Sequence, residues 1–233
     1  MKNKLQQLIP NSRAERLRGG KVCLGLDVAS TIGETSNPSA LAVMEQWEGI
    51  FHLRLVLRWK TDDMDVMVGI LRHVLGRVPK AVRKVLVVDK SNEKFASNKL
   101  KKILSGEIRV MGLAGNNSVI FEGEKTDAKT ATGSAYIAAL EDGLVAMPAG
   151  KWLRDDHRLV KRNGARFECK PDKDGHHADT FDACKLAYWG FVGQHRVTVA
   201  PVPGRRDVNN SRQLSSAGAS PANNINLEDR PFC

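Results

Sequence analysis

The sequence predicts an α/β fold in which a mixed sheet of five or slightly more strands carries helices on both faces. Strand-like segments at 22–28, 40–46 and 51–59 follow one another without an intervening helix pattern, which predicts an antiparallel meander. Strand and helix patterns then alternate, which predicts parallel strands added to the same sheet. A chain of 233 residues, 42% of them hydrophobic, is long and apolar enough to bury the core of such a domain.

The meander and the first helix are marked by apolar runs and turn residues. The strand at 22–28 (VCLGLDV) is apolar except for its acid, and a loop rich in Ser, Thr, Gly, Asn and Pro follows it. A turn at Gly49 separates the next two strands. A helix over 64–76 begins after Asp62 or Asp63, because either side chain can accept hydrogen bonds from the first helical turn.

The second half of the chain alternates short apolar runs with helix patterns. A helix is predicted at 93–104, with Phe95, Leu100, Ile103 and Leu104 as its apolar positions. An Ala-rich stretch at 125–141 is typical of a helix that ends at Gly143. The other predictions are strands at 84–88, 108–113, 144–147 and 165–169, and helices at 151–161 and 178–192.

Composition divides the chain into three parts. Residues 1–21 are a basic N-terminal arm or linker, with six basic residues and one acidic residue. Residues 22–200 are the globular domain, and residues 201–233, rich in Pro, Asn, Ser and Gly, are expected to be a disordered tail. The net charge of +10 suits a polyanionic partner, but half of it lies in the arm, so charge alone indicates nucleic acid only weakly.

Several classes of protein are excluded by this sequence. No apolar run approaches the ~18 residues that cross a bilayer, and the N-terminus lacks a signal-peptide core, so we expect a soluble intracellular protein without a membrane partner. No G-x-x-x-x-G-K-[ST] motif occurs, so no P-loop ATPase is predicted. The spacing of the cysteines fits no zinc template. The cysteines are Cys23, Cys169, Cys184 and Cys233.

Isolated acids occur where buried strands end and where the last helix begins. Asp27 ends the first strand, Asp89 ends VLVVD, and Asp179 and Asp182 lie one helical turn apart. An acid beside apolar residues is costly unless it is paired or binds a metal. Carboxylates from distant segments are what a two-metal phosphodiesterase needs, because hard divalent ions prefer oxygen ligands. Each acid alone could instead begin a loop or favour a helix N-terminus.

The end of the domain carries a more specific pattern. The segment LEDGLVAMP leads through a basic helix to NGARFECKPDKDGHHADTFDACKLAYWG, in which residues 175–183 (GHHADTFDA) are close to a GH-x-D-x-x-x-A motif, with one additional residue before the first aspartate. With Asp27 and Asp89 on earlier strands, this order resembles the nuclease domain of tailed-phage large terminase subunits, in the RNase H-like superfamily. The resemblance covers about residues 22–192.

The resemblance implies a fold, a chemistry and a set of ligands. It implies an RNase H-like sheet and a two-metal-ion endodeoxyribonuclease that cuts phage genome concatemers during DNA packaging. By motif match, Asp27, Asp89 and Asp179 take the metal-ligand places, and Asp182 or Glu93 is a further candidate. Two divalent ions, Mg²⁺ or Mn²⁺, are the implied cofactors.

The same resemblance implies partners and a location. The partners are double-stranded DNA, a separate ATPase motor subunit, a small terminase and a portal, in the cytoplasm of the bacterial host cell. A basic cluster late in the domain is the predicted contact with the DNA backbone. Its members are Arg154, Arg158, Lys161, Arg162 and Arg166.

Three other interpretations compete with the terminase-type nuclease. A Holliday-junction resolvase has the same fold and acids, and would cut four-way junctions symmetrically. A non-catalytic DNA-binding or packaging scaffold would bind no metal at these acids. An actin-like phosphotransferase, suggested by GLDVAST, needs a second phosphate loop that the sequence lacks.

Overall fold

The computed structural model describes residues 17–29, 36–91, 94–163, 166–169, 171 and 177–193, with the backbone alone for residues 6–8, 94 and 166. These residues form strands and helices in an order close to the predicted one. In chain order they are β1 (Gln6–Leu8), β2 (Lys21–Asp27), β3 (Ser39–Trp47), β4 (Ile50–Trp59), α1 (Met64–Leu75), β5 (Arg83–Asp89), α2 (Lys94–Ile103), β6 (Arg109–Leu113), β7 (Ser118–Phe121), β8 (Glu124–Asp127), α3 (Ala128–Glu141), β9 (Val145–Ala146), α4 (Lys151–Arg158), β10 (Val160–Asn163), β11 (Arg166–Cys169) and α5 (Asp179–Val192).

A mixed sheet is the centre of the fold. Its strand order is β1-β4-β3-β2-β5-β6, and β9 also pairs with β4. Strands β2, β3 and β4 form the predicted antiparallel meander, while β5 and β6 are added parallel to β2. The described residues thus form a seven-stranded sheet, which confirms the prediction of a mixed sheet slightly larger than five strands.

Two apolar cores cover the two faces of this sheet. Because side chains alternate along a strand, Val22, Leu24 and Leu26 of β2 pack with helices α1 and α2, while Cys23 packs with α3, α4 and α5. The alternation repeats in β5, where Leu86 and Val88 face α1 and α2. Helices therefore lie on both faces of the sheet, as the sequence predicts.

Local signals fix the first helix and the turn of the meander. Asp63 caps α1, and its side chain accepts a hydrogen bond from the backbone N–H of Asp65 at 2.8 Å. Glu48 and Gly49 both have positive φ, 49° and 79°, which suits the tight turn between two twisted strands. Both features follow the sequence prediction.

Other elements differ from the prediction. The helix expected at 125–141 begins at Ala128, because the residues before it form a β7–β8 hairpin that the sequence did not predict. The helix expected at 151–161 ends at Arg158, and the chain continues into the β10–β11 hairpin. Phe95 does not pack inward: 76% of its surface is exposed.

The ends of the chain are described only in part. Gln6–Leu8, within the predicted basic arm, pairs antiparallel with β4 as an edge strand. The predicted tail, residues 201–233, lies outside the described residues. In the described part of the chain, no helix combines the length and apolar character that a membrane span requires.

Candidate metal centre

Two adjacent parallel strands place Asp27 and Asp89 at the same edge of the sheet. Strands β2 and β5 are paired up to Leu26 and Val88, and an aspartate is the next residue in each. Asp27 shares a face with Cys23, which contacts α5, and Asp89 shares one with Val87, in the same core. Both carboxylates therefore lie at the carboxyl ends of their strands, on the side of α5.

Helix α5 brings further acids to this place. Its first turn contains Asp179 and Asp182. Burial raises the pKa of Asp27 well above its ordinary value, and the negative charges of Asp182, Asp89 and Asp179 raise it further. The four side chains line one cleft of about 1220 Å³. The structure thus brings together the acids that the sequence singles out in separate segments.

The carboxylate of Asp179 has an oxygen that nothing satisfies. The residue is only 4% exposed, and its buried Oδ2 has no hydrogen-bond partner among the described residues. Burial, followed by the charges of Asp156 and Asp182, raises the pKa of Asp179 to about 8. A buried acceptor without a donor is costly, so the site suits a cation that supplies the missing interaction.

The acids are close but do not form a closed cluster. Among the described residues, no three Asp, Glu, His or Cys side chains converge as a ready-made metal site. Asp182 is already engaged, because it forms an ion pair with the buried Nζ of Lys185 one turn later. Asp182 and Asp179 therefore differ: one has a cationic partner within the helix, and the other has an oxygen without a partner.

Asp156 of α4 positions the first turn of α5. The N-cap residue of α5, Ala178, makes no side-chain capping bond. The buried carboxylate of Asp156 replaces it by accepting hydrogen bonds from the backbone N–H of Thr180, at 3.0 Å, and from the Thr180 hydroxyl. Arg58 Nη1 lies 3.7 Å from the other Asp156 oxygen. The sequence did not indicate this residue, since no local motif joins α4 to α5.

Asp156→Ala should therefore destabilise the fold and loosen α5. Loss of a capping carboxylate costs about 1 kcal/mol, and an unsatisfied buried hydroxyl adds about 1–3 kcal/mol, so we expect a loss of roughly 3 kcal/mol. Asp156→Asn keeps an acceptor for the Thr180 N–H and should lose less. Urea denaturation measures both. Equal stabilities of wild type and Asp156→Ala would contradict the capping role.

Asp179 should make the metal-free protein less stable as pH rises. The folded pKa of Asp179, about 8, exceeds its ordinary value of 3.8, so the folded protein binds more protons than the unfolded chain between these values. Stability is then lost as pH rises through that window, which is the reverse of a salt-bridged aspartate. Melting temperatures measured in EDTA across the window should show this slope, and Asp179→Asn should flatten it. If the melting temperature of Asp179→Asn fell with pH as steeply as that of the wild type, this role of Asp179 would be contradicted.

The walls of the cleft come from α3, the β10–β11 hairpin and the segment before α5. Asp127 caps α3 and accepts hydrogen bonds from the backbone N–H and the hydroxyl of Thr130, which outweigh burial and lower its pKa. Lys129 follows in the first turn of α3, and Glu168 and His177 also line the cleft. Sequence reasoning missed Asp127 and Lys129, although an aspartate before an Ala-rich helix is itself a capping signal.

The predicted basic cluster lies around the β10–β11 hairpin. Arg154 and Arg158 are exposed on α4, and Lys161 and Arg162 are exposed on β10. The paired strand β11 borders the cleft through its residues 167–169. The side chain of Arg166 and all of Glu93 and His176 lie outside the described residues.

Solved structures of viral nucleases are similar to this fold. The large terminase nuclease of thermophilic phage G20c aligns with a TM-score of 0.52 and 18% identity, over 72% of this chain and 81% of that one. The human cytomegalovirus terminase nuclease domain, manganese-soaked and inhibitor-bound, gives 0.51 and 13%, over 82% and 92%. The nuclease domain of the large terminase subunit of bacterial virus Sf6 gives 0.51 and 12%, over 72% and 88%.

These comparisons bear on the fold. They confirm the predicted RNase H-like α/β class and the resemblance to terminase nuclease domains at the level of structure. The sequence itself matches no protein-family model, and a comparison with curated protein sequences finds no match. Because the identities are low, these comparisons show the fold but not the metal ligands or the reaction.

Proposed function

We propose that this chain is a divalent-metal-dependent endonuclease that cuts double-stranded DNA during phage genome packaging. The observation that carries the proposal is the buried, unsatisfied Oδ2 of Asp179, beside two aspartates at the ends of parallel strands. A fold shared with terminase nucleases supports it. Without a cation, four carboxylates around one cleft repel one another, as the raised pKa of Asp27 indicates.

We assign the metal ligands to Asp27, Asp89 and Asp179. Two divalent ions would supply the Lewis acid that activates water and stabilises the charge of the phosphate. Oxygen-only ligands favour Mg²⁺ or Mn²⁺. The G20c nuclease has been solved with bound magnesium, and crystals of the cytomegalovirus domain were soaked with manganese. Asp182 is a supporting residue here, because Lys185 holds its carboxylate.

The rest of the cleft binds and orients the DNA. Lys129, in the first turn of α3, puts a positive charge into the lining of the same cleft. The exposed cations of α4 and β10 continue this surface beside the hairpin and would contact backbone phosphates. Phosphate contacts carry no base information, so cleavage should depend weakly on sequence.

The proposal includes a place in a larger assembly. We propose an ATPase motor, a small terminase and a portal as its partners in the cytoplasm of the bacterial host. The arm at residues 1–21, which holds half of the net positive charge, is a candidate contact with DNA or with one of these subunits.

A cleavage assay tests the proposal. Purified protein is incubated with supercoiled plasmid and, separately, with a four-way junction, in Mn²⁺, Mg²⁺ or EDTA. Asp179→Ala is compared with Asp62→Ala, which removes an exposed aspartate before α1. We expect metal-dependent plasmid cutting that Asp179→Ala loses and Asp62→Ala keeps.

Two other results would contradict the proposal. Paired symmetric cuts confined to the junction would indicate a resolvase with the same fold. Absence of cutting in every metal, with the Asp179→Ala variant binding DNA like the wild type, would indicate a non-catalytic scaffold.

A further inference from the structure

Helix α2 presents an exposed stripe that its packing does not explain. Phe95 is 76% exposed, which is the largest exposure of any large apolar side chain in the described part of the chain. Asn98, Lys99 and Lys102 are also exposed and, at helical spacing, share its face. The exposed ring leaves an apolar surface among lysines that a partner could cover.

The other face of α2 is fixed, so Phe95 cannot turn inward. Ala96 and Leu100 are buried, and Leu100 packs in the core shared with α1. Ser97 is buried too, and its Oγ would lie 2.5 Å from a Cβ at Gly112 of β6. The exposed stripe is therefore a stable property of the helix.

The stripe begins a few residues after Asp89, on the sheet face opposite α5. Asp89 ends β5, Ser91 lines the cleft, and α2 starts three residues later. Phe95 thus lies in the first turn of the helix, at the edge of the sheet that carries the acids. From Phe95 to Lys102 the helix advances about 10 Å, which equals the rise of about three nucleotides along one DNA strand.

The charge of α2 indicates what kind of partner binds the stripe. Between residues 94 and 103 the chain has four lysines and no acid, so the helix attracts a polyanion. An exposed aromatic ring next to cations is also the arrangement on which nucleic acid bases stack. A protein partner matched to a lysine-rich helix would have to be acidic, and no other feature of the stripe favours one.

We propose that this stripe binds one DNA strand leaving the cleft, with an unpaired base stacked on Phe95 and phosphates on Lys99 and Lys102. The inference rests on the proposed function, since it assigns part of the DNA-binding surface of the same cleft. Its consequence is that the enzyme prefers DNA whose strands are locally open near the cut.

The test is DNA binding in EDTA, where no cleavage occurs. A labelled single-stranded oligonucleotide containing 2-aminopurine reports affinity by anisotropy and base stacking by quenching. Phe95→Ala should weaken binding about tenfold and abolish the quenching, since one stacked base contributes about 1–3 kcal/mol. Phe95→Trp should keep both. Val66→Ala, which trims an exposed apolar residue of α1, is the matched control and should bind like wild type.

Salt dependence tests the two lysines. Lys99→Ala with Lys102→Ala should lower the slope of log affinity against log salt by about 1.4, because each phosphate contact on a single strand contributes about 0.7. Wild-type affinity in Phe95→Ala, or an unchanged slope in the double variant, would overturn the inference. The inference would also be overturned if Phe95→Ala bound DNA normally but lost an association with another protein. Because these assays measure DNA binding and not cleavage, their results do not depend on an active metal centre.

Discussion

Asp27→Asn should lower the rate of metal-dependent DNA cleavage at least about a thousandfold, which corresponds to ~4 kcal/mol of transition-state stabilisation. The substitution keeps the size of the side chain but removes the negative charge that a divalent ion needs. Burial raises the pKa of Asp27, and the charges of Asp182, Asp89 and Asp179 raise it further, so every other acid of the proposed centre acts on this carboxylate. Initial rates of plasmid nicking in Mn²⁺ measure the effect.

Measurements of stability distinguish this loss of cleavage from unfolding of the variant. Burial and three neighbouring carboxylates raise the pKa of Asp27, so its ionised form destabilises the metal-free fold at neutral pH. Asp27→Asn should therefore melt at or above the wild-type temperature in EDTA. Added Mn²⁺ should raise the melting temperature of the wild type more than that of the variant. Near-wild-type cleavage by a folded Asp27→Asn would refute the assignment of this ligand.

Gly25→Ala should destabilise the protein by roughly 3 kcal/mol and also abolish cleavage. A methyl group on Gly25 would lie 2.0 Å from the carbonyl oxygen of Ala183 and 2.4 Å from the backbone nitrogen of Ala187. These are backbone atoms of α5, so the whole helix must move away from β2. Because α5 carries Asp179, the displacement would separate this carboxylate from Asp27. Denaturant unfolding and plasmid cleavage measure the two effects.

Gly69→Ala is the matched control for this substitution. Gly69 is exposed within α1, and nothing lies within 4 Å of the position that its Cβ would take. Alanine there should be neutral or stabilise the helix by about 1 kcal/mol. If Gly25→Ala unfolded at the same denaturant concentration as Gly69→Ala, the close contact between β2 and α5 would be wrong.

Much of the fold is predictable because strand alternation and helix periodicity are local signals. The order of the meander, the parallel addition of β5 and the cap of α1 at Asp63 all follow from residues close together in sequence. The β7–β8 hairpin is different. Its strands are partly polar, with exposed residues in β8, so they carry little of the alternation that marks a strand.

In the candidate site, too, some residues could be predicted from the sequence and others could not. Asp27, Asp89 and Asp179 were visible because each interrupts or adjoins an apolar run, and the structure brings them to one cleft. Asp156 and Lys185 were not, since their roles arise from contacts with α5 that no short motif encodes. Phe95 is one of the apolar positions of the predicted 93–104 helix, and only the packing of α2 reveals that it faces outward.

The most direct test of the central claim is a crystal soaked with Mn²⁺ and measured for anomalous scattering. We expect anomalous peaks between the carboxylates of Asp27, Asp89 and Asp179, with the Oδ2 of Asp179 as one of the ligands. The peak next to Asp179 should be absent from crystals of Asp179→Asn. Manganese bound only elsewhere on the molecule, with these three carboxylates unliganded, would contradict the claim that this cleft is a metal-dependent nuclease site.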